Sequence, residues 1–504
     1  MSPGLLQLSI IFVVYLGLGL SIGLYFSRRA SGGLRSFFIA DKSLPWWAIL
    51  GSVVGTYAGG ATFIAYIGSA WKLGISFLWA DVGSGLGVLL MAVLLVPILT
   101  RMSRITMSEP LGERFGSPTR MVVSALGLLR MLGVSTITII TVGTVLHVFG
   151  GVPSWVGSVL AWAILTGYVM AGGQYGIGYT DPIQGLLMVA TMVAAPLVLL
   201  FQLGHGSIPD GWQHVVAKIP AKNLNPTAVP ATLIVGWVAN LLLGNSLRPE
   251  LFRNIFSARN TREGVLAWVV AGCILPVILL GNVMIGVIGR AFVLPGHVHG
   301  LDLVAPTIFR DHAPLWLSSL YLAALLGTVV STASAALMGS ASHYVTDIHL
   351  KYLQPELPQN RVALLSRLAV LGASLLALWW AFSGSTILTV LLFIYSMLVS
   401  GALVPYIGMF FWPRMTRHGA FFAAIGGAAV AAFWNFVVIP HHLVHASFGK
   451  IDSVVPGLLA SLTLGILVSL ATGPEFQQVL RFSRSYGLDR LEAWALKSGP
   501  EEAR

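Results

Sequence analysis

Charged residues are scarce in this sequence. Only 9% of its 504 residues are Asp, Glu, Lys or Arg, whereas 56% are hydrophobic. A soluble domain usually has about 25% charged residues, so this chain has too few charges to cover a surface exposed to water. The composition therefore excludes a soluble protein and predicts an all-α polytopic membrane protein that is solvated largely by lipid.

Cysteine is almost absent, and so are the motifs of enzymes. The single Cys273 excludes a disulfide framework and a cysteine-based metal site. The twelve histidines form no HExxH-type pair, and the group in "PHHLVHASF" is more typical of a loop end than of a transition-metal site. Nucleophile elbows and phosphate-binding loops are missing as well, so we do not expect an enzyme.

Long apolar runs fill most of the chain. A helix needs roughly 20 apolar residues to cross a bilayer, and we predict about 13 such spans. The first has no small-residue cleavage site, so it is expected to be retained rather than removed as a signal peptide. The predicted limits are 5–27, 46–70, 75–99, 121–147, 154–172, 178–203, 230–248, 265–289, 316–341, 361–383, 386–411, 419–440 and 452–472.

The basic residues predict the orientation of these spans. The net charge is +11, but the cations lie in gaps between apolar runs, not on a basic face of a soluble domain that could bind nucleic acid. Most follow the odd-numbered spans, where we assign Arg114, Arg248 and Arg253 to loops. The positive-inside rule then puts the N-terminus outside and the C-terminus in the cytoplasm. The other gaps hold only Lys72, Lys218, Lys222, Arg290, Arg310 and Lys450.

Three glycines interrupt the second span. Gly55, Gly59 and Gly60 cluster in mid-span with Thr56 and Thr62, and each glycine costs a helix about 1 kcal/mol relative to alanine. One interpretation is a helix that unwinds at membrane depth, which is tolerated where the backbone lines a cavity or binds a ligand. The alternative is close packing of helices through small residues.

Hydroxyl side chains cluster in the ninth span, in "GTVVSTASAALMGSASHYVTD". Helical spacing puts Thr328, Ser331 and Thr332 on one face, with Ser334 one turn from Ser331. Oxygens arranged in this way suit a small hard cation. Taken by itself, however, the stretch favours hydrogen bonding between helices.

Three ionisable residues lie within predicted spans, where they are costly and suggest function. They are Asp81, Arg130 and Asp181. The alternatives are simple solvation near the outer surface for Asp81 and snorkelling to the cytoplasmic surface for Arg130. For Asp181 the alternative is an interfacial or N-capping carboxylate.

Four stretches, in order and spacing, resemble the sodium/solute symporter family of proline, pantothenate, sugar, sialic acid and monocarboxylate transporters. They are "FFIADKSLPWWAILGSVVGTYAGGATFIAYIGSAWKLGIS", "YGIGYTDPIQGLLM", "RPELFRNIFSARNTREG" and "LDLVAPTIF" followed by "LAALLGTVVSTASAALMGSASHYVTDIH". The resemblance implies the 5+5 inverted-repeat fold of the leucine transporter. The repeats would span 46–203 and 204–411, with an additional N-terminal helix and loop in 1–45, two additional helices in 412–474 and a cytoplasmic tail in 475–504.

The same resemblance implies a sodium site between the second and ninth spans. Carried over by position, its ligands are Gly55, Ala58, Thr328, Ser331 and Thr332; relatives commonly have alanine where Thr328 stands. Some members hold a second sodium, for which the matching residues are Asp181, Ser331 and Ser334. A further serine of that site is replaced here by Ala335.

For the solute, the resemblance implies binding positions on several core helices. Arg130 stands where acid-transporting relatives place an arginine, and its planar fork matches a carboxylate. The other matching positions are Thr56, Tyr57, Asp81, Asn240 and Tyr395.

The resulting hypothesis is sodium-coupled symport of a small carboxylate or zwitterion, such as an organic acid, amino acid or acidic sugar. Sodium, the solute and the bilayer are the expected partners, without nucleic acid or an obligate protein partner, in a bacterial inner (cell) membrane. One alternative is proton coupling through Asp181. Another is a sensor that does not transport, although the tail, predicted as one amphipathic helix, is too short for a signalling domain.

Overall fold

Helices account for 84% of the computed structural model. It describes residues 10–11, 17, 21, 25, 38–57, 59–102, 104–294, 296–441, 443 and 451–499. Within these ranges there is no β-strand, and Leu44 and Ala258 form an isolated bridge. The predicted all-α class is therefore confirmed.

The first half of the described chain forms nine α-helices. The helix α1 (Trp46–Tyr57) is followed by a π-helical segment (Ala61–Tyr66). The next helices are α2 (Ile67–Leu73), α3 (Leu78–Leu94), α4 (Val96–Leu99), α5 (Ser108–Phe115), α6 (Ser117–Gly150), α7 (Ser154–Leu203), α8 (Ile208–Lys218) and α9 (Ala231–Ser246).

The second half adds ten helices. They are α10 (Pro249–Phe256), α11 (Thr261–Phe292), α12 (Leu301–Asp311), α13 (Leu315–Ser342), α14 (Gln359–Ala381), α15 (Ile387–Phe411), α16 (Arg417–Phe433), α17 (Val454–Ala471), α18 (Phe476–Tyr486) and α19 (Asp489–Ser498). A π-helical segment, His343–Leu353, continues α13.

Nine helical segments of the described chain are long and apolar enough to cross a membrane. The first predicted span, 5–27, lies outside the described residues except for five positions, and the fifth and sixth share the single helix α7. The count of about 13, the orientation and the two repeats stay predictions. The nine segments are Ala61–Leu94, Ser117–Gly150, Gly178–Leu203, Thr261–Phe292, Leu315–Leu353, Leu364–Ala381, Ile387–Phe411, Arg417–Val438 and Val454–Ala471.

The hydroxyl-rich helix α13 lies at the centre of the bundle. In the most apolar part of Leu315–Leu353, 89% of the residues are buried, against 28% in the peripheral Leu364–Ala381. The helix packs against α1, α6 and α7. A helix in this position is shielded from lipid by protein, so its hydroxyl groups face other helices.

The glycine-rich second span is interrupted, as one of the two interpretations predicts. The helix α1 ends at Tyr57, Gly59 is not helical, and the π-helical segment starts at Ala61. The glycines also permit close packing, because a Cβ on Gly60 would lie 2.0 Å from Thr141 Oγ1. Both interpretations therefore describe part of this segment.

Gly51 provides a test of that packing. A Cβ at this position would lie 2.5 Å from Pro182 N and Cα, which are backbone atoms with little freedom to move. We expect Gly51→Ala to lower stability by about 1–3 kcal/mol, as overpacking does elsewhere. Thermal unfolding of the purified protein measures the change.

Gly85→Ala is the matched control for this experiment. A Cβ there would meet Pro276 Cγ at 3.8 Å, an ordinary contact. Its stability should be unchanged or higher, because alanine favours a helix by about 1 kcal/mol over glycine. Equal losses in both variants would contradict the packing argument.

Three arginines that follow predicted spans are buried, which the sequence interpretation did not anticipate. Arg114, Arg248 and Arg253 are at most 5% exposed. Arg114 donates from Nη2 to the carbonyl oxygens of Pro413 and Met415, each at 3.1 Å. A buried guanidinium needs such partners, and sequence spacing does not show them. The remaining cations still favour the predicted orientation.

The C-terminal tail forms two helices rather than the single one we predicted. Gly487 ends α18 with a positive φ of 62°, a conformation that glycine adopts without strain and that stops a helix. The Tyr486 hydroxyl at this end donates to Glu113 on α5 and accepts from Arg104 Nη2 at 2.6 Å. Burial raises the pKa of Tyr486 to about 12, so the hydroxyl keeps its proton at neutral pH.

Candidate functional site

The interrupted helix and the hydroxyl face of α13 meet inside the bundle. Thr328 Oγ1 donates to the Gly55 carbonyl at 3.0 Å. A Cβ on Gly55 would lie 3.6 Å from Ser331 Oγ, and one on Gly59 would lie 3.0 Å from Thr332 Oγ1. The structure therefore brings together every residue of the predicted sodium site that it describes. Ala58 lies outside the described residues.

The oxygen atoms at this junction suit a small hard cation. Thr332 is 4% exposed, and its hydroxyl has no hydrogen-bond partner among the described residues. The end of α1 leaves carbonyl oxygens without intrahelical partners, and a buried unpaired oxygen costs free energy. Sodium prefers carbonyl and hydroxyl oxygens, as hard cations do, so the donor set fits this ion.

A buried carboxylate lies beside the same junction. Asp181 on α7 is fully buried and accepts a hydrogen bond from Ser52 of α1. A Cβ on Gly55 would lie 3.6 Å both from Asp181 Cβ and from Ser331 Oγ, so these two groups share one space. The structure thus brings together Asp181 and Ser331 of the predicted second site.

Ser334 is directed elsewhere. It is buried, and its hydroxyl donates to the Val330 carbonyl of its own helix at 2.7 Å. This bond is the common back-bonding of serine inside a helix. The second sodium site stays a prediction.

A small central cavity of about 40 Å³ lies next to the helix break. Of the predicted solute-binding residues, Thr56, Tyr57, Arg130 and Tyr395 line it, together with Thr332. A water needs roughly 10–15 Å³ of such volume, whereas sites for organic ligands are much larger, about 300–1,000 Å³. The closed cavity therefore has room for a few waters but not for an organic ligand.

Two further lining residues, Asn245 and Arg248, were not assigned to the site from sequence. Arg248 is tied to the broken helix, because it donates from Nη2 to Thr56 O at 2.9 Å and from Nη1 to Tyr57 O at 3.3 Å. These are the last carbonyls of α1, where a cation also interacts favourably with the helix dipole. Arg248 thus braces the interruption of the second span.

A charged triad connects the cavity wall to α10. Glu250 Oε1 accepts from Arg130 Nη2 and from Arg248 Nε, each at 2.7 Å, and all three side chains are at most 5% exposed. The Arg130 guanidinium also lies 4.2 Å from the Tyr395 ring centroid. With two arginines and one glutamate, the triad has one positive charge in excess.

Sequence reasoning missed Arg248 and Glu250 because they follow the seventh apolar run, where we expected a cytoplasmic loop. The available signal was the density of ionisable residues in "LRPELFRN", directly after that run. Ionisable residues at membrane depth are the usual sign of a site. Spacing alone did not show that this stretch turns back into the protein.

Two predicted solute-binding residues do not line the central cavity. Asn240 Nδ2 donates to Ser396 Oγ at 2.9 Å and to Asp452 Oδ1 at 3.0 Å. Asp81 is 2% exposed, and neither carboxylate oxygen has a hydrogen-bond partner among the described residues. Both residues are therefore buried outside the lining of the central cavity.

Comparison with known proteins agrees with this architecture. A sodium/proline symporter 2 of Staphylococcus saprophyticus is 24% identical over 491 residues, covering 92% of this chain and 93% of the relative. A Na⁺-coupled sialic acid symporter in a substrate-bound outward-open state superimposes with a TM-score of 0.75 at 19% identity. It covers 93% of this chain and 98% of its own.

A more distant structure has the same fold. Mhp1, a nucleobase-cation-symport-1 family transporter in a closed conformation, superimposes with a TM-score of 0.55 at 13% identity and covers 91% of this chain and 98% of its own. The model of the sodium:solute symporter family matches residues 37–427, which is well over half of the sequence. The chain therefore belongs to the sodium:solute symporter family, a family of transporters rather than enzymes.

Proposed function

We propose that this protein is a sodium-coupled symporter of a small organic solute that bears a carboxylate. The observation that carries the solute class is the excess positive charge of the buried triad of Arg130, Arg248 and Glu250 beside the central cavity. A buried excess charge is unfavourable until a counter-ion compensates it. A solute carboxylate supplies that counter-ion.

Arg130 supplies the contact to the carboxylate. Its Nη1 has no hydrogen-bond partner among the described residues, although Nη2 is bound to Glu250. Arg130 is also held in place by its stacking on Tyr395. A fixed guanidinium with an unpaired Nη1 suits a carboxylate better than a flexible ammonium does.

Sodium binding is proposed at the junction of α1 and α13, through Gly55, Ala58, Thr328, Ser331 and Thr332. Thr56 and Tyr57, between those ligands in sequence, line the central cavity. An ion that orders the end of α1 therefore also orders the solute site. The coupling is reciprocal, so bound solute raises the affinity for sodium by the same factor.

Alternating access follows from the small volume of the cavity. The helices around it separate toward one side and then toward the other, as in other transporters built from repeats. The proposed repeats are 46–203 and 204–411, in a protein placed in the bacterial cell membrane. The family relatives support this placement, since Staphylococcus encodes them.

Uptake into liposomes tests the proposal. We expect an inward sodium gradient to drive accumulation of small carboxylates and amino acids, and their neutral amides to be poor solutes. Accumulation driven by a pH gradient in sodium-free buffer would instead identify a proton symporter, with Asp181 as the carrier. Solute binding without accumulation under either gradient would indicate a sensor.

Asp81 is the residue that we expect to determine whether zwitterions are transported in preference to plain carboxylates. It does not line the closed central cavity, so it meets a solute only once the surrounding helices separate. Its buried carboxylate, without a hydrogen-bond partner among the described residues, is then suited to a solute ammonium. We expect Asp81→Asn to weaken uptake of amino acids about tenfold or more, the value of a lost charged hydrogen bond, while plain carboxylates are unaffected. Competition assays with both solute types measure the ratio. Equal losses for both would show that Asp81 only maintains the fold.

A further inference from the structure

A second and larger cavity lies on the side that we predict to be external. It has a volume of about 560 Å³ and opens where α2 ends, at Trp71 and Lys72. Its wall continues through Lys222 and Asn223 of the segment between α8 and α9, and through Arg290 near the end of α11. We call it the outer cavity. Its volume is in the range of sites for small organic ligands.

Three cations line the outer cavity, and no carboxylate among the described residues lines it. Lys72 and Lys222 are exposed, so their ammonium groups are free to move. Arg290 is fixed, since its Nη1 donates to Trp71 O at 2.8 Å and its guanidinium lies 5.0 Å from the Trp71 ring centroid. A concave surface with charges of one sign focuses the field and concentrates counter-ions.

The wall that holds these cations is rigid. Asn223 is 2% exposed and donates from Nδ2 to Lys72 O at 3.1 Å, which joins the two lysine-bearing segments. Gly74, with φ at 73°, lets the chain approach so closely that a Cβ would lie 1.9 Å from Asn223 O. The indole of Trp71 is fixed in turn by its bond to Val293 O at 2.8 Å. The backbone that carries the two lysines is therefore held in a fixed position.

The outer cavity lies close to the central cavity along the chain. Tyr66 lines the central cavity, Trp71 lines the outer one, and the helix between them is continuous. At 1.5 Å per residue these positions are about 7.5 Å apart along the axis. An anion held in the outer cavity is thus one to two helical turns from the central cavity.

We propose that the outer cavity is a separate binding site for small organic carboxylates, which holds the solute outside the closed central cavity. The class of ligand deepens the proposed function and rests on it. Binding there does not depend on sodium, because the sodium ligands lie at the other end of the π-helical segment. Lys72, Lys222 and Arg290 supply the charge.

The test uses terephthalate, a rigid dicarboxylate, with neutral terephthalamide as its isostere. The full chain is placed in phosphatidylcholine nanodiscs in sodium-free choline buffer, and binding is measured by calorimetry. We expect one site for terephthalate and no binding of the amide. Lys72→Gln with Lys222→Gln should weaken binding about five- to tenfold, and each single change should do so by less. Raising salt to about 1 M should abolish the difference.

A control variant makes the result specific. Lys218→Gln removes an exposed lysine at the end of α8 that does not line the outer cavity, so it should leave affinity unchanged. All of these variants alter exposed lysines, and size-exclusion profiles check that each folds.

Several outcomes would overturn the proposal. They are absence of terephthalate binding, equal affinity in the double variant, or an equal loss in Lys218→Gln. Competition by added phosphatidylglycerol that depends on Lys72 and Lys222 would assign the cavity to lipid headgroups instead. The binding measurement does not depend on sodium-driven uptake. An absence of uptake would therefore contradict the proposed function without contradicting the outer binding site.

Discussion

Replacing Ser331 and Thr332 together with alanine is expected to weaken the activation of uptake by sodium. The two hydroxyls lie at the junction of α13 with Gly55 and Gly59, and the change deletes two of the five proposed ligands. The remaining carbonyl oxygens bind an ion far more weakly, so we expect the sodium concentration for half-maximal uptake to rise at least tenfold, about the loss of one charged hydrogen bond. Uptake measured over a range of sodium concentrations gives this value.

Ser340→Ala is the matched control. Ser340 is a buried serine of the same helix whose hydroxyl donates to Ala336 O at 3.0 Å, so its loss changes only a bond inside the helix. Sodium activation should be unchanged in this variant. Unaltered sodium dependence in the Ser331 and Thr332 double variant would show that the ion binds elsewhere.

Ser334→Ala examines the proposed second ion in the same assay. Its hydroxyl is bound to Val330 O, and Ala335 supplies no oxygen side chain. If a second sodium binds through Asp181, Ser331 and Ser334, the steepness of the sodium dependence should fall in this variant. An unchanged curve indicates that one sodium suffices.

Arg130→Lys is expected to reduce uptake of carboxylate solutes by about 100-fold. Lysine keeps the charge but loses the planar fork, and with it two hydrogen bonds to charged groups at about 1.5–3 kcal/mol each. It also loses the stacking of the guanidinium on Tyr395. The measured quantity is the ratio of uptake for an acid and its neutral amide, which should approach one in the variant.

Arg114→Lys is the control that distinguishes a loss of solute recognition from a loss of stability. Arg114 is fully buried and bound to two backbone carbonyls, but it does not line the central cavity. Arg114→Lys should lower thermal stability without changing the ratio of acid to amide. If Arg130→Lys also lowers uptake of both solutes equally, Arg130 has a structural role and the proposed carboxylate contact is wrong.

The helices were predictable because lipid imposes a simple pattern. An apolar run of about 20 residues can satisfy its backbone in a bilayer only as a helix. The predicted span 386–411 accordingly corresponds to Ile387–Phe411, and 316–341 to Leu315–Ser342. The break near Gly59 was also visible, because clustered glycines inside an apolar run lower helix stability.

The partners of individual side chains were not predictable in this way. Arg248 is separated by more than a hundred residues from both Arg130 and Thr56, yet all three meet at one cavity. Asn240 looked equally suitable, but its amide is bound to Asp452 and Ser396. Which polar residues converge depends on how helices pack, and the packing is set by shape over many contacts.

The amino-acid sequence by itself determined the solvent, the secondary structure and the family of this protein. Scarce charge, long apolar runs and an ordered set of motifs carry that information locally along the chain. The tertiary structure alone decided that Arg130 and Arg248 share Glu250, that the central cavity is small, and that Lys72, Lys222 and Arg290 line an outer one. These features depend on distances between residues far apart in the chain, which close packing of the helices fixes.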